Sequence, residues 1–336
     1  MKQNRSAFFS SLLVVLVAIC GSCPVAQAET VAVDCQAKKG NSINAALASL
    51  TKQGPHTINI SGICTEAIVI ENFDDVTLAG TLGTTLNSTV NPEFGVVIWI
   101  AKSRSVTIRD LTINGNPDLE FGTGGVSCGF FSDCIFYNIT VQGAVSGISY
   151  ARSTGIVGDN AIVQNNACQG VLAIRNSHVR VGSWPANGGA TIRNNGSVDC
   201  GGTGIHIDDE SYVDMFNSNV QNTVQGNGVT VNFDSFLGLF NSTITGSSAA
   251  GVLAGPSSFV RLRNSGAGIN TITGNGQSGI ALGHLSFLQI NGPRTISGNG
   301  APDVACNKST AKTAGTGGSA TPNLGGGTTN CTEPAP

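Results

Sequence analysis

The sequence predicts an all-β solenoid: one chain wound into a parallel β-helix of about ten coils, three short strands per coil. Composition is the first reason. Of 336 residues, 45 are Gly and 31 are Asn, while 11% are charged and 40% are hydrophobic. Small, turn-forming and apolar residues in this balance exclude coiled coils and long helical arrays, which need Glu, Lys and Leu. They also exclude a disordered chain, which lacks enough apolar surface to fold.

An internal repeat is the second reason. Gly147, Gly170, Gly204, Gly228, Gly251 and Gly279 are each followed by Ile or Val. Seven residues on comes a small hydroxyl (Thr154, Ser177, Ser211, Ser235, Ser258, Ser286), and two further an aliphatic (Ile156, Val179, Val213, Leu237, Val260, Leu288). The intervals are 23, 34, 24, 23 and 28 residues, the long one holding the insertion Trp184 to Gly189. A fixed period of this length marks a stacked repeat.

The third reason is period-two alternation within each unit, as in Ile205-His206-Ile207, which makes the pieces strands. A third short strand follows in Ala190-Thr191-Ile192 and Thr271-Ile272-Thr273. Asn165, Asn195, Asn275 and Asn299 come after it, where a turn can use the left-handed conformation. Parallel strands stack about 4.8 Å apart, so equal positions form ladders and inward aliphatics form one continuous core.

The remaining elements follow in order. Residues 1–28 read as a secretory signal: Lys2 and Arg5, an apolar run from Ala7 to Ile19, and Ala26-Gln27-Ala28 as a cleavage pattern. The apolar run is about 13 residues, short of the roughly 20 that span a bilayer. The chain is therefore expected outside the cytoplasm: secreted, periplasmic or at the cell surface. Residues 29–56 form an N-terminal cap, with Ile43, Leu47 and Leu50 at helical spacing and Asn41 or Ser42 to start the helix. Residues 57–305 form the β-helix. Residues 306–336 are a Gly- and Thr-rich tail. The net charge of −3 excludes a nucleic-acid partner of the usual basic kind, and a monomer is expected.

The Gly-[Ile/Val]…Ser-x-[Val/Leu] coils, with Ile60-Ser61-Gly62-Ile63-Cys64 and Val76-Thr77-Leu78-Ala79-Gly80 before them, resemble the right-handed parallel β-helix proteins of the pectin-lyase-like superfamily. The resemblance covers roughly residues 40 to 305. It implies right-handed winding, in line with the rule for parallel crossovers. It implies business with extended carbohydrate but no particular reaction, because the fold hosts many. On the coil arrangement Cys168 and Cys200 occupy one turn in successive coils. Cys35–Cys64 would pin the cap, Cys128–Cys134 would close a small loop, and Cys306–Cys331 would tether the tail. Disulfides suit an exported chain.

Candidate site residues lie four to six positions after the glycines. Asp208, Asp209, Glu210 and, one coil on, Asp234 form an acidic patch in a chain poor in charge. Arg175 and Arg152 stand one and two coils before it, and His206 and Asn232 flank it. The first expectation is a non-catalytic or structural binder of extended polysaccharide, with His206, Glu210, Asn232 and Arg152 touching the ligand. The alternative is a glycoside hydrolase or polysaccharide lyase. Asp208, Asp209 and Asp234 would then act as acid, base or calcium ligands, with Arg175 beside the sugar. The superfamily's Gly-His-Gly, Arg-x-Lys and Asp-Pro-His-Asp segments are absent. No resident cofactor or metal is expected. The ladder Tyr212, Phe236, Phe259 and Phe287 is expected to pack as a stack.

Overall fold

A computed structural model describes residues 28–37, 41–89, 94–118, 124–183, 188–263, 268–306, 312–315 and 331. The proposed leader and most of the tail lie outside them.

The chain is a parallel β-helix with three sheets. Within a coil the chain runs from a glycine-led strand in sheet 1, to a serine-led strand in sheet 2, to a three- or four-residue strand in sheet 3. One coil reads Gln169–Ile174, His178–Val181, Thr191–Arg193. Sheets 1 and 3 have ten strands and sheet 2 has twelve, every neighbour parallel. Two strands lie outside 57–305. Glu29–Asp34 pairs with Gln53–Ser61 at one end of sheet 2, and Lys312–Gly315 pairs with Phe287–Asn291 at the other.

The glycine ladder has a steric cause. A Cβ on Gly204 would lie 2.5 Å from the Gly228 carbonyl oxygen and 2.5 Å from Val220 Cγ1. Gly147, Gly170, Gly228 and Gly251 meet the next coil's glycine carbonyl and a β-branched residue of sheet 3 in the same way. The strand of sheet 3 therefore packs its Val or Ile where the glycine lacks a side chain. Beside it runs a buried polar ladder, Asn166, Asn195, Thr223, Ser247 and Asn275, that ends on the half-buried Asn299. Asn195 Oδ1 accepts from Asn166 N and Nδ2 at 3.1 and 2.9 Å, and its Nδ2 donates to the Val163 carbonyl at 3.0 Å. Asn165 takes the expected left-handed conformation, with φ 54°, while Asn195, Asn275 and Asn299 do not and instead hold the ladder. Ile162 pairs with Thr191 and Val163 with Ile192, so Asn166 holds the ladder position.

Serines at the start of sheet 2 form a second ladder. Ser153 N donates to Ser177 Oγ, Ser177 N to Ser211 Oγ and Ser211 N to Ser235 Oγ, at 3.1 to 3.3 Å. This corrects Thr154 and Ile156. The turn before Ser153 is one residue shorter than the next, so Thr154 pairs with His178 and Gly155 with Val179. A slip of one flips faces, and Ile156 points outward opposite Arg180. Gly155 is needed because a Cβ there would collide with the Cys134 carbonyl oxygen and lie 2.6 Å from the ring of Tyr150, which is wholly buried in the coil. Burial pushes the Tyr150 phenol well above its usual range.

The expected cap forms as helix Ile43–Ser49, with Ser42 Oγ accepting from Ala45 N at 2.9 Å and Ile43, Ala46 and Leu47 buried. Glu66 seats it, accepting from Ile43 N at 2.8 Å and from Asn44 Nδ2 at 3.1 Å. A carboxylate at this end also meets the positive end of the helix dipole. The cap covers apolar residues that an open coil would expose. All four expected disulfides are present: Cys35–Cys64, Cys128–Cys134, Cys168–Cys200 and Cys306–Cys331. Among the described residues no helix is long and apolar enough to cross a membrane.

Candidate functional site

The turns from sheet 1 to sheet 2 stack into a ridge along the molecule. Every residue expected at the site lies on it or, in the case of His206, on the strand leading into it. Successive turns are tied by backbone bonds: Phe131 N to Arg152 O at 2.7 Å, Asn176 N to Asp209 O at 2.8 Å, Glu210 N to Phe233 O at 3.0 Å. Arg152, Arg175, Asp209, Glu210 and Asp234 are in the left-handed region and exposed.

The ridge divides by charge. On the acidic coils His206 Nε2 lies 3.3 Å from Asp208 Oδ2, and Asp208 Oδ1 accepts from Asp209 N at 2.9 Å. Asp208 is thus engaged locally, while Asp209, Glu210 and Asp234 face solvent. Among the described residues no three His, Cys, Asp or Glu side chains are placed together to hold a metal ion. Asn232 is half-buried, and its backbone N–H bonds back to Ile207 O at 2.9 Å.

On the basic coils the ridge opens into a cleft of about 640 Å³. Arg104, Arg152 and Arg175 line it with Phe131, Asp133 and Thr154. Arg104 is paired to Asp74 at 2.6 Å. Asp133 accepts from Thr154 Oγ1 at 3.0 Å. Arg152 and Arg175 form no ion pair with any described residue. Phe130 and Phe131 both adopt φ near 60°, and Phe131 is 80% exposed. Later coils repeat this backbone at the same turn, Phe233 and Leu285 among them, so it belongs to the turn that aims these side chains outward. Phe130 lies 5.6 Å from Trp99, which stacks on Phe94 at 4.9 Å, so an aromatic patch lies beside the turn that carries Phe131.

Of the expected site residues, then, the structure brings Arg152 and Arg175 together in a cleft. Asp208, Asp209, Glu210, Asp234, His206 and Asn232 do not line it. Sequence reasoning missed Phe131 and Arg104. Phe131 belongs to a further copy of the repeat, Gly125-Val126…Ser132-Asp133-Cys134, in which a cysteine stands where the others carry an aliphatic. Extending the repeat back one coil would have found it.

No known family model and no curated protein matches the chain. Solved structures do resemble it. The pectate lyase Pel9A is 12% identical, with a TM-score of 0.52 over 84% of this chain and 80% of its own. The enzymatically active domain of bacteriophage CBA120 tailspike protein 2 is 9% identical, with a TM-score of 0.51 over 90% of this chain and 45% of its own. At these identities the likeness is one of fold alone, the parallel β-helix.

Proposed function

We propose that the chain is an exported, monomeric protein that binds an extended acidic polysaccharide in the arginine cleft of the turn ridge and does not cleave it. The observation that carries this reading is the meeting of Arg152, Arg175 and the exposed Phe131 ring in one cleft. A ring face stacks on the apolar face of a sugar, and guanidinium groups hold carboxylates with two parallel hydrogen bonds. The ridge runs along the solenoid axis, which suits a linear polymer. Pectate lyase and phage tailspike relatives in fold lend support to a carbohydrate ligand. Four disulfides fit an oxidising compartment. The acidic coils take no part in this reading, since their carboxylates stand outside the cleft.

Arg152→Ala with Arg175→Ala tests it. Charged hydrogen bonds are worth about 1.5–3 kcal/mol each, so affinity for a polyuronate should fall about tenfold or more. Affinity should also weaken with added salt. Equal affinity of the double variant and the parent, measured by calorimetry, contradicts the reading.

A further inference from the structure

Sheet 2 carries a second surface, on its outer face. At the first outward position of successive strands stand His178, Tyr212, Phe236, Phe259 and Phe287. The Tyr212 and three Phe rings stack at 4.2, 5.2 and 5.0 Å, within 17° of parallel, and His178 meets Tyr212 edge-on. The expected aromatic ladder therefore exists, half-buried on the outside of the coil. At the third outward position Phe216 stacks on Phe240 at 4.5 Å.

Between the two columns run Arg180, Asp214, Gly238 and Arg261. Gly238 leaves a gap, and the Asp214 carboxylate leans into it: a Cβ at 238 would collide with Asp214 Oδ1. That oxygen is sealed from water and has no hydrogen-bond partner, and the same holds for Arg261 Nε. Arg180, Arg261 and Arg263 outnumber the one carboxylate, yet none of them forms an ion pair with a described residue. Orphaned polar atoms of this kind cost stability, and here an acceptor and a donor are orphaned beside one flat strip of rings.

We infer that the outer face of sheet 2 is a second carbohydrate-binding strip, taking an extended glycan that bears carboxylate groups. Sugar rings stack on the Tyr212–Phe287 column, and Arg261 and Arg263 hold a carboxylate. The inference stands on its own observations and does not need the ridge cleft. Burial also raises the Asp214 carboxyl above the ordinary range, against the opposing pull of His178 and the three arginines.

The test titrates a galacturonate hexamer, with cellohexaose as the uncharged control, into the parent, into Arg261→Gln with Arg263→Gln, and into Gly238→Ala. The inference expects the parent to show a binding event separate from any at the ridge cleft. It expects the arginine variant to lose about ten- to hundredfold in that event. Gly238→Ala, which pushes the Asp214 carboxylate out of its gap, should weaken the same event. Arg152→Ala with Arg175→Ala should leave that event intact. An unchanged isotherm for the arginine variant, or no binding by the parent, overturns the strip. Loss of all binding in the cleft variant alone overturns it while sparing the cleft.

Melting of Asp214→Asn gives a readout independent of ligand. A carboxyl whose folded pKa is raised contributes its full stability only below its unfolded pKa, and loses it as pH rises through the folded one. The Asn variant should therefore melt higher than the parent at pH 7, with the gap closing as pH falls below the ordinary carboxylate range. A lower melting temperature at pH 7 would mean that Asp214 holds the fold together and is not kept for a ligand.

Discussion

Gly204→Val is expected to destabilise the chain by about 3 kcal/mol or more, lowering Tm by about 5 °C or more. The added Cβ alone would lie 2.5 Å from both the Gly228 carbonyl oxygen and Val220 Cγ1. The carbonyl belongs to the backbone of the next coil and Val220 to the closed interior, so neither can yield cheaply. Gly143→Asn provides the contrast. Gly143 has φ 59° with nothing within 4 Å of the added atom, and Asn tolerates that conformation. It should cost about 1 kcal/mol or less. Thermal melting of the two variants checks whether the aligned glycines exist for coil-to-coil approach. A Gly204→Val protein that melts with the parent would contradict this packing.

Asn195→Leu should be comparably severe. The side chain is fully buried and serves three groups at once. Without it Asn166 N and Nδ2 lose their acceptor and the Val163 carbonyl loses a donor. Each orphaned buried group costs about 1–3 kcal/mol, so about 3 kcal/mol or more is expected in total, despite the apolar replacement. Hydrogen exchange should show lost protection centred on strands Ile162–Gln164 and Thr191–Arg193. Protection unchanged there would mean that the polar ladder is incidental to the stack.

These two positions show why so much of the fold was legible. The glycine, the β-branched residue of sheet 3 and the polar residue after it pack on one another, so each coil must repeat all three, and the repeat is visible in the chain. The Cys168–Cys200 pair follows from the same stacking. What stayed hidden broke the pattern locally. Cys134 replaced an aliphatic and concealed the coil that carries Phe131. A turn shortened by one residue before Ser153 moved Thr154 and Ile156 off the ladder. The strands Glu29–Asp34 and Lys312–Gly315 stand alone at the ends, with no neighbouring copy to align.

The site was less legible for a different reason. Charge density drew attention to Asp208, Asp209 and Glu210, but consecutive residues in a turn fan outward and do not converge. Arg152 and Arg175 share a cleft because they occupy equal positions in adjacent coils. Asp214 and Arg261 were missed because they look like ordinary outward residues of two strands. Only the register, with Gly238 between them, reveals two polar atoms left unpartnered among stacked rings. In a solenoid the informative neighbour lies one coil away, about 4.8 Å in space.

The most direct measurement is a titration of the folded mature chain with acidic and neutral polysaccharides, followed in parallel for new reducing ends and for the ultraviolet absorbance of unsaturated sugars, with and without calcium. The account predicts saturable, salt-sensitive binding of acidic polymers, weakened by Arg152→Ala with Arg175→Ala, and no change in polymer length. Cleavage that disappears in Asp208→Asn with Asp209→Asn, at unchanged Tm, would contradict it and move the chemistry to the acidic coils.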